Sequence, residues 1–210
     1  MNKKLAIIGS GDLGQLVAYH AKTDLHFNVV GFFDDFKATG ELVDGIPVLG
    51  KLSIIEDLYE GKEFDYLFVA IGYKHFDFRW QVFNRFKGKI PFASIIHSSS
   101  FVDQSCSIGE GVLILPGSTL DRNVSIGDNT VLNTGCTVAH DTKVGDNCFL
   151  APGVCLAGFI DIEKDCFLGI GTKVIDNIKI ATKVQTGGGA VVTQDLTDAG
   201  LYLGVPAKLK

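Results

Sequence analysis

The sequence predicts two domains of different architecture, an α/β domain followed by a parallel β-helix, and two periodicities in the chain predict this division. In the second half an aliphatic residue recurs every six positions. In the first half apolar runs of strand length alternate with helix-like segments. A period of six fits neither the 3.6-residue period of a helix nor the two-residue alternation of a strand. We place the boundary near residue 95, with domains 1–95 and 96–210.

The six-residue repeat of the second domain is unbroken from Val102 to Ile180. Its aliphatic members are Val102, Ile108, Ile114, Leu120, Ile126, Leu132, Val138, Val144, Leu150, Leu156, Ile162, Leu168, Val174 and Ile180. A repeat of this kind predicts stacked structural units that bury a continuous core between neighbours.

A second period, of eighteen residues, is superimposed on the first. Similar segments begin at Ile108, Ile126, Val144 and Ile162, and a glycine returns at the same interval. Those glycines are Gly117, Gly135, Gly153, Gly171 and Gly189. Three hexapeptides therefore form one triangular coil, with glycine at one corner, and coils stack at roughly the 4.8 Å spacing of paired strands.

The cysteines support this phase. Cys106, Cys136, Cys148 and Cys166 each lie four positions after an aliphatic member, on the inward side, so we interpret them as small buried hydrophobes. Cys155 is out of phase. An odd number of cysteines without CxxC spacing predicts neither a disulfide framework nor a zinc site.

The first domain begins with the pattern of a nucleotide-binding βαβ unit. A strand is predicted at Lys4–Ile8, a glycine turn at residues 9–14, a helix at Gln15–Lys22 and a second strand at Phe27–Phe33. Asp34 and Asp35 follow that strand, about 20 positions after the last glycine of the turn. A further strand is predicted at residues 65–71 and a helix at residues 76–86. This order predicts a Rossmann-like α/β domain.

The glycine turn leaves three interpretations open. Gly9, Gly11 and Gly14 would let a pyrophosphate approach the backbone amides at a helix N-terminus. That pyrophosphate could belong to NAD or to a nucleotide-linked sugar. Alternatively, the glycines serve only the packing of helix against strand. An NAD-dependent oxidoreductase would need a separate substrate domain, and the β-helix occupies nearly all the remaining chain, which disfavours it.

Composition excludes several other classes of function. The 210 residues carry 19 basic and 24 acidic side chains, so the chain lacks the positive field that nucleic-acid binding requires. No apolar run approaches the roughly 20 residues of a membrane span. We expect a soluble cytoplasmic protein.

One histidine of the β-helix is a candidate catalytic base. His140 follows the core residue Val138 by two positions and should project from the coil, and Gly158 lies eighteen residues later, one coil away. This pairing predicts His140 as a general base and the Gly158 N–H as an oxyanion donor. The alternative is an ordinary surface histidine. The β-helix holds only one histidine after His97, so it cannot supply the three ligands of a β-helix carbonic anhydrase, and no metal is expected.

Four segments of the chain resemble the sialic-acid O-acetyltransferase-like group of hexapeptide-repeat acyltransferases. They are Leu132 to Asp141, Val144-Gly145-Asp146, residues 168–171 and the terminal residues 204–208. The best-understood members of this group N-acetylate UDP- or dTDP-linked 4-amino sugars in bacterial glycan synthesis. The resemblance covers nearly the whole chain. It implies a left-handed β-helix, acetyl-CoA as co-substrate, a nucleotide-linked amino sugar as acceptor, and a homotrimer.

The resemblance also implies roles for particular residues. His140 would deprotonate the sugar amine, and Asp141 would raise the basicity of the His140 imidazole. The residues implied to bind acetyl-CoA are Phe149, Gly158, Ile170, Gly188, Pro206 and Lys208. The residues implied to bind the nucleotide-sugar are Gly11, Asp12, Leu13, Asp34, Asp35, Gly72 and His75.

The sequence departs from its relatives at two places. Asp12-Leu13-Gly14 stands where they commonly have Gly-His-Gly, and Phe149 stands where they often have a second histidine. Phe149 and Phe167 are eighteen residues apart and should stack. The leading prediction is N-acetylation of a 4-amino-4,6-dideoxy sugar. Sugar O-acetylation, NAD-linked oxidoreduction and a non-catalytic nucleotide-sugar scaffold are the alternatives.

Overall fold

The structure is a computed structural model that describes residues 3–210, and the chain divides into two compact units, residues 1–95 and 96–210. Each unit has a hydrophobic core of its own. Within the described residues, none of the helices combines the length and the apolar character needed to cross a membrane.

The first unit is an α/β domain built on a mainly parallel sheet. Its strands are β1 (Lys4–Ile8), β2 (Asn28–Phe33), β3 (Leu42–Val43), β4 (Ile46–Gly50) and β5 (Tyr66–Val69). Its helices are α1 (Asp12–Thr23), α2 (Ile55–Glu60) and α3 (Phe76–Phe86), with short 3₁₀ turns at Leu52–Ile54 and Tyr73–His75.

The strand order in this sheet is β3-β4-β2-β1-β5, and only the β3–β4 pair is antiparallel. The chain moves outward from β1 through β2 to β4 and then returns to the other side of β1 with β5. The direction of winding therefore reverses beside β1. In open α/β sheets, ligands bind at such a reversal, beyond the carboxyl ends of the strands.

The predicted strand Lys4–Ile8 and helix 76–86 are confirmed at their stated boundaries. The first helix begins three residues earlier than predicted, at Asp12, because Gly11 already acts as its N-cap. The elements β3, β4 and α2 were not predicted, because they are short and their sequences have no clear period.

The second unit consists of stacked triangular coils whose sides are short strands, which pair in parallel except for the last strand, which is antiparallel to its neighbour. They are β6 (Ile95–Ile96), β7 (Phe101–Val102), β8 (Ser107–Ile108), β9 (Leu113–Ile114), β10 (Thr119–Leu120), β11 (Ser125–Ile126), β12 (Val131–Leu132), β13 (Thr137–Val138), β14 (Lys143–Val144), β15 (Phe149–Leu150), β16 (Cys155–Leu156), β17 (Asp161–Ile162), β18 (Phe167–Leu168), β19 (Lys173–Val174), β20 (Lys179–Ile180), β21 (Val184–Thr186), β22 (Val191–Val192), β23 (Gly200–Leu203) and β24 (Lys208–Leu209).

These strands form three sheets, one for each side of the triangle. Sheet I has the order β24-β23-β21-β18-β15-β12-β9-β6, sheet II the order β22-β19-β16-β13-β10-β7, and sheet III the order β20-β17-β14-β11-β8. Strands one coil apart pair in register at an interval of eighteen residues, for example Thr137 with Cys155 and Phe149 with Phe167. The predicted β-helix is confirmed.

Most corners of the coils turn through a residue with positive φ. The corner between sheets I and II uses the predicted glycines, with φ between 67° and 71° at Gly117, Gly135, Gly153, Gly171 and Gly189. A left-handed conformation is accessible to glycine without the clash that Cβ introduces. The other two corners use mainly asparagine and aspartate, which tolerate this region better than other residues with a side chain.

The inward side chains form one continuous core of aliphatic residues with small residues between them. Cys136, Cys148 and Cys166 are fully buried in it, as the phase of the repeat predicted. Cys106, which was also predicted to be buried, lies in the first coil and is only half-buried at the edge of the core, and the out-of-phase Cys155 is exposed. Burial raises the pKa of the Cys136 thiol to about 12, so this cysteine remains an uncharged core group.

Candidate active site

A cavity of about 400 Å³ opens in the first unit beyond the carboxyl ends of β1 and β2. It lies where the winding of the sheet reverses. Its walls are mainly apolar, with two carboxylates and one histidine among them. The lining residues are Ile8, Gly9, Phe33, Asp34, Asp35, Phe36, Leu52, Ile71, His75 and Phe78.

Asp34 is held at the edge of this cavity by hydrogen bonds. The backbone N–H and the hydroxyl of Ser10 both donate to its Oδ2, at 3.1 and 2.6 Å, and the N–H of Phe36 donates to its Oδ1 at 2.9 Å. Partial burial acts to raise the pKa of Asp34, but these hydrogen bonds and the charge of Lys37 outweigh it. The pKa therefore lies below its ordinary value, and the carboxylate is ionised at neutral pH.

The glycines of the turn have different structural roles. A Cβ at Gly9 would approach the carbonyl oxygen of Ala70 to 2.9 Å, and one at Gly14 would overlap the carbonyl of Gly9, so both are required for packing. A Cβ at Gly11 would meet nothing within 4 Å. Gly11 precedes α1, so the first-turn amides of that helix are open to an anionic ligand.

The structure brings together only some of the residues predicted to bind the nucleotide-sugar. Asp34, Asp35 and His75 line one cavity, and Asp35 also accepts a hydrogen bond from the Leu52 N–H at 3.0 Å. The other four do not line it. Asp12 and Leu13 form the first turn of α1 after Gly11, and Gly72 follows the lining residue Ile71.

The second group of candidate residues lies at the corner of the β-helix between sheets II and III. His140 stands between β13 and β14, and its side chain is 40% exposed. Its ring lies over Gly158 in the next coil, so closely that a Cβ there would be 2.8 Å from the His140 Cε1 atom. The predicted proximity of these two residues is confirmed. Only glycine at position 158 leaves room for the imidazole.

Asp141 contacts the imidazole although it directly follows His140 in the chain. Its Oδ2 lies 3.0 Å from His140 Nδ1, and its Oδ1 accepts a hydrogen bond from the Asn123 side chain at 3.0 Å. The Asn123 hydrogen bond and then the His140 contact lower the pKa of Asp141. An ionised carboxylate can only accept, so in the neutral imidazole the proton is on Nδ1, and Nε2 presents a lone pair.

The Gly158 amide is the candidate oxyanion donor. Within residues 3–210 its N–H donates to no acceptor, whereas its carbonyl accepts from the Asn177 N–H at 3.1 Å. A free amide beside an imidazole can donate to a charge that develops on a reacting carbonyl oxygen.

Most residues implied to bind acetyl-CoA lie elsewhere on the coil. Phe149 belongs to sheet I, and Ile170 and Gly188 stand at the corner between sheets I and II. Ile170 is 61% exposed, and its side chain covers Gly188. Lys208 begins β24, the last strand of sheet I, and Pro206 lies in the turn between β23 and β24. Sheet II therefore separates this group from His140 and Gly158 within one coil.

Phe149 and Phe167 stack as predicted, with ring centroids 5.9 Å apart and an angle of 29° between the ring planes. Phe149 is only 6% exposed. Among the described residues, no cluster of histidine, cysteine and carboxylate side chains has the geometry of a metal site.

The two units match different family profiles. Residues 4–86 match the PglD N-terminal domain, and residues 105–140 and 123–158 match the bacterial transferase hexapeptide family of six repeats. No curated protein sequence matches the chain significantly.

Several solved structures are similar over the whole chain. PerB from Caulobacter crescentus, in complex with CoA and GDP-perosamine, is 33% identical, with a TM-score of 0.91, over 99% of this chain and 97% of that chain. A variant of perosamine N-acetyltransferase from the same organism, also with CoA and GDP-perosamine, is 32% identical, with a TM-score of 0.92, over 99% and 96%. The acetyltransferase domain of PglB from Neisseria gonorrhoeae in complex with acetyl coenzyme A is 27% identical, with a TM-score of 0.88, over 100% of both chains.

The chain belongs to the hexapeptide-repeat sugar N-acetyltransferases. Its fold is accordingly an α/β domain followed by a left-handed β-helix. Membership of this acyltransferase family argues against the NAD-linked oxidoreductase that the glycine turn alone left open.

Three residues that contact the predicted site residues were not predicted from the sequence. Ser10 fixes Asp34, Asn123 fixes Asp141, and Phe159 lies against His140 with ring centroids 5.2 Å apart. The eighteen-residue period could have found Asn123, because it stands one coil before Asp141. Ser10 could have been found only through the pairing of β1 with β2, which is a tertiary contact.

Proposed function

We propose that this protein transfers an acetyl group from acetyl-CoA to the amine of a nucleotide-linked 4-amino-4,6-dideoxy sugar, with His140 as the general base. The observation that carries the proposal is the arrangement of His140, Asp141 and Gly158 at one corner of the β-helix. Nδ1 of the imidazole is engaged by a carboxylate, and Nε2 is left to accept a proton. The amide of Gly158, which is free within the described residues, lies beside the ring.

The reaction follows from these groups. As the sugar amine attacks the thioester carbonyl, Nε2 of His140 accepts one amine proton, and a nitrogen–carbon bond forms. The carbonyl oxygen becomes an oxyanion, to which the Gly158 N–H donates, and such a donor contributes about 3 kcal/mol to the transition state. The carbon–sulfur bond then breaks, and the CoA thiolate receives the proton from His140.

The nucleotide is assigned to the first unit. The cavity of about 400 Å³ has the size of a small-molecule site, and its carboxylates are suited to accept hydrogen bonds from ribose hydroxyls or base N–H groups. The open amides after Gly11 suit the pyrophosphate. We assign Gly11, Asp12, Leu13, Asp34, Asp35, Gly72 and His75 to this role. PerB is in complex with GDP-perosamine, so a GDP-linked acceptor joins the UDP- and dTDP-linked ones as a candidate.

Acetyl-CoA is assigned to Phe149, Gly158, Ile170, Gly188, Pro206 and Lys208. Gly158 stands at the corner between sheets II and III, whereas Ile170 and Gly188 stand at the corner between sheets I and II, and Phe149 and Lys208 belong to sheet I. One subunit therefore does not surround the thioester. A second copy that brings its corner between sheets I and II against the first copy's His140 would complete the site, which supports a homotrimer. Because acetyl-CoA is a cytoplasmic metabolite, we also propose a cytoplasmic enzyme.

The test is thiol release from acetyl-CoA in the presence of UDP-, dTDP- and GDP-linked 4-amino-4,6-dideoxy sugars, with wild type and His140→Ala. We expect release that requires an amino sugar and falls by about 10²- to 10⁴-fold in the variant. His97→Ala is the matched control, because His97 lies in the same unit but contacts Ser99 and not this corner. Full activity of His140→Ala would refute the mechanism.

Sugar O-acetylation is the rival reaction, because a hydroxyl could use the same base and donor. Equivalent sugars that carry a hydroxyl in place of the amine separate the two reactions. Release with the hydroxyl sugars alone would assign O-acetylation. Binding of nucleotide-sugars without release by either class would assign a non-catalytic scaffold.

A further inference from the structure

Phe159 has an unusual backbone conformation for an aromatic residue. Its φ is +58°, in the left-handed region, and its side chain is 55% exposed. For a bulky side chain this region is a true outlier, whereas asparagine and aspartate adopt it much more readily. Burial of the ring in the core of the coil does not explain the residue, since more than half of its surface is accessible.

The equivalent positions in neighbouring coils have the expected residue types. The corner between sheets II and III turns through Asn123, Asp141, Phe159 and Asn177, with φ values of 58° to 60°. Phe159 is the only member of this set without an amide or carboxylate. The sequence therefore departs from its own repeat at the coil that contains Gly158.

The ring of Phe159 packs against the candidate base. Its centroid lies 5.2 Å from that of His140, with the two ring planes at 85°, and the Phe159 N–H donates to the His140 carbonyl at 3.2 Å. Gly158 lies beneath the imidazole, and Asp141 holds Nδ1. The imidazole is thus contacted by the backbone of Gly158, the carboxylate of Asp141 and the aromatic ring of Phe159.

An asparagine at position 159 would change these contacts. One coil before Asp141, the side-chain amide of Asn123 donates to Oδ1 of Asp141. An amide one coil later, at the roughly 4.8 Å spacing of the strands, would offer Asp141 a second donor that competes with His140 for Oδ2. Phenylalanine offers no such donor.

We propose that Phe159 is a positioning residue for His140, retained in a strained conformation because its ring holds the imidazole over Gly158 and leaves one Asp141 oxygen to Nδ1. This inference rests on the role proposed for His140 and extends it to a residue outside the repeat pattern. Strained residues of this kind persist where the surrounding structure needs them, often at active sites.

The test is Phe159→Asn, measured for both activity and stability. We expect kcat to fall by roughly tenfold or more, because a displaced base loses its alignment, with KM for the amino sugar within about twofold of wild type. We also expect Tm to rise by about 2–4 °C, because asparagine fits the left-handed position better. If Phe159 served only the fold, Phe159→Asn would lower Tm instead.

Two further variants separate positioning from a general effect on the coil. Phe159→Tyr keeps the aromatic ring and should retain wild-type kcat. Lys183→Phe places an aromatic residue in the same left-handed conformation at the corner between sheets III and I, away from His140, and should lower Tm without changing kcat. Unchanged kcat in Phe159→Asn, or a parallel loss of kcat and Tm, would overturn the inference.

A spectroscopic measurement keeps this inference separate from the proposed function. Nitrogen–proton correlation spectra of the imidazoles, assigned by comparison with His140→Ala, should show the Nδ1–H tautomer in wild type and a weaker preference in Phe159→Asn. Identical His140 signals in the two proteins would refute the positioning role even if no acceptor is acetylated. Wild type that is inactive with every amino sugar would refute the proposed function alone.

Discussion

The carboxylate of Asp141 lies 3.0 Å from Nδ1 of His140, the residue directly before it in the chain. Adjacent side chains in a strand point to opposite faces. Asp141, however, stands at a corner of the coil with φ of +58°, and this backbone turn brings its side chain back toward the imidazole. The same corner conformation thus turns the chain and orients the candidate base.

The first prediction concerns Asp141→Asn. Asparagine adopts the same left-handed conformation, so the fold should be unaffected, but the amide no longer fixes the proton of His140 on Nδ1. We expect kcat to fall at least about tenfold, though less than the loss of about 10⁴-fold in a buried serine protease triad, because Asp141 is partly exposed. Steady-state kinetics and the Tm test this prediction. A marked loss of Tm would instead assign Asp141 to the fold.

The second prediction concerns the contact between Gly158 and His140. A Cβ at position 158 would lie 2.8 to 3.2 Å from three atoms of the imidazole. Gly158→Ala should therefore displace the ring, destabilise the fold by about 1–3 kcal/mol and lower kcat. In a His140→Ala background the added methyl group meets no ring, so its effect on stability should largely disappear. Equal losses of stability in both backgrounds would show that the ring is not the cause.

The third prediction concerns Asp34 and pH. Its pKa in the folded protein lies below the unfolded value of about 3.9. Its contribution to stability is therefore complete at pH values above the unfolded pKa and is lost as the pH falls through the folded pKa. Asp34→Asn should lower Tm near neutral pH, and the difference from wild type should shrink below about pH 4.

Asp44→Asn provides the control for this pH series, because Asp44 is an exposed turn residue in a left-handed conformation that asparagine also adopts. Asp34→Asn should also raise KM for the nucleotide-sugar and leave acetyl-CoA binding unchanged. A Tm difference that stays constant down to pH 2 would contradict the assigned role of the carboxylate.

The fourth prediction concerns the stacked pair of Phe149 and Phe167. An aromatic pair contributes about 0.5–1.5 kcal/mol beyond burial of its surface. If this pair forms a wall of the acetyl-CoA site, Phe149→Leu should raise KM for acetyl-CoA by about 2- to 10-fold, with kcat little changed. Phe101→Leu, an exposed phenylalanine of sheet II, is the control. Equal KM values for Phe149→Leu and wild type would remove Phe149 from the site.

The sequence by itself determined the β-helix and which of its residues lie side by side. A coil of eighteen residues repeats its geometry at every turn, so the period places each residue on a side or corner and beside its neighbour one coil away. This period accounts for the position of Gly158 beneath His140 and for the contact of Phe149 with Phe167. It also accounts for the buried cysteines. The strand Lys4–Ile8 and helix Phe76–Phe86 were also predictable from their apolar patterns.

Tertiary structure alone decided the contacts that depend on backbone direction or on pairing distant segments. The approach of Asp141 to His140 and the contact of Phe159 with the same ring follow from positive φ values, which residue type does not dictate. The hydrogen bonds from Ser10 to Asp34 require β1 and β2 to pair in a particular register. Periodicity specifies which positions are equivalent along the chain, whereas the direction of a side chain at a corner is set by the local dihedral angles and by what packs against it.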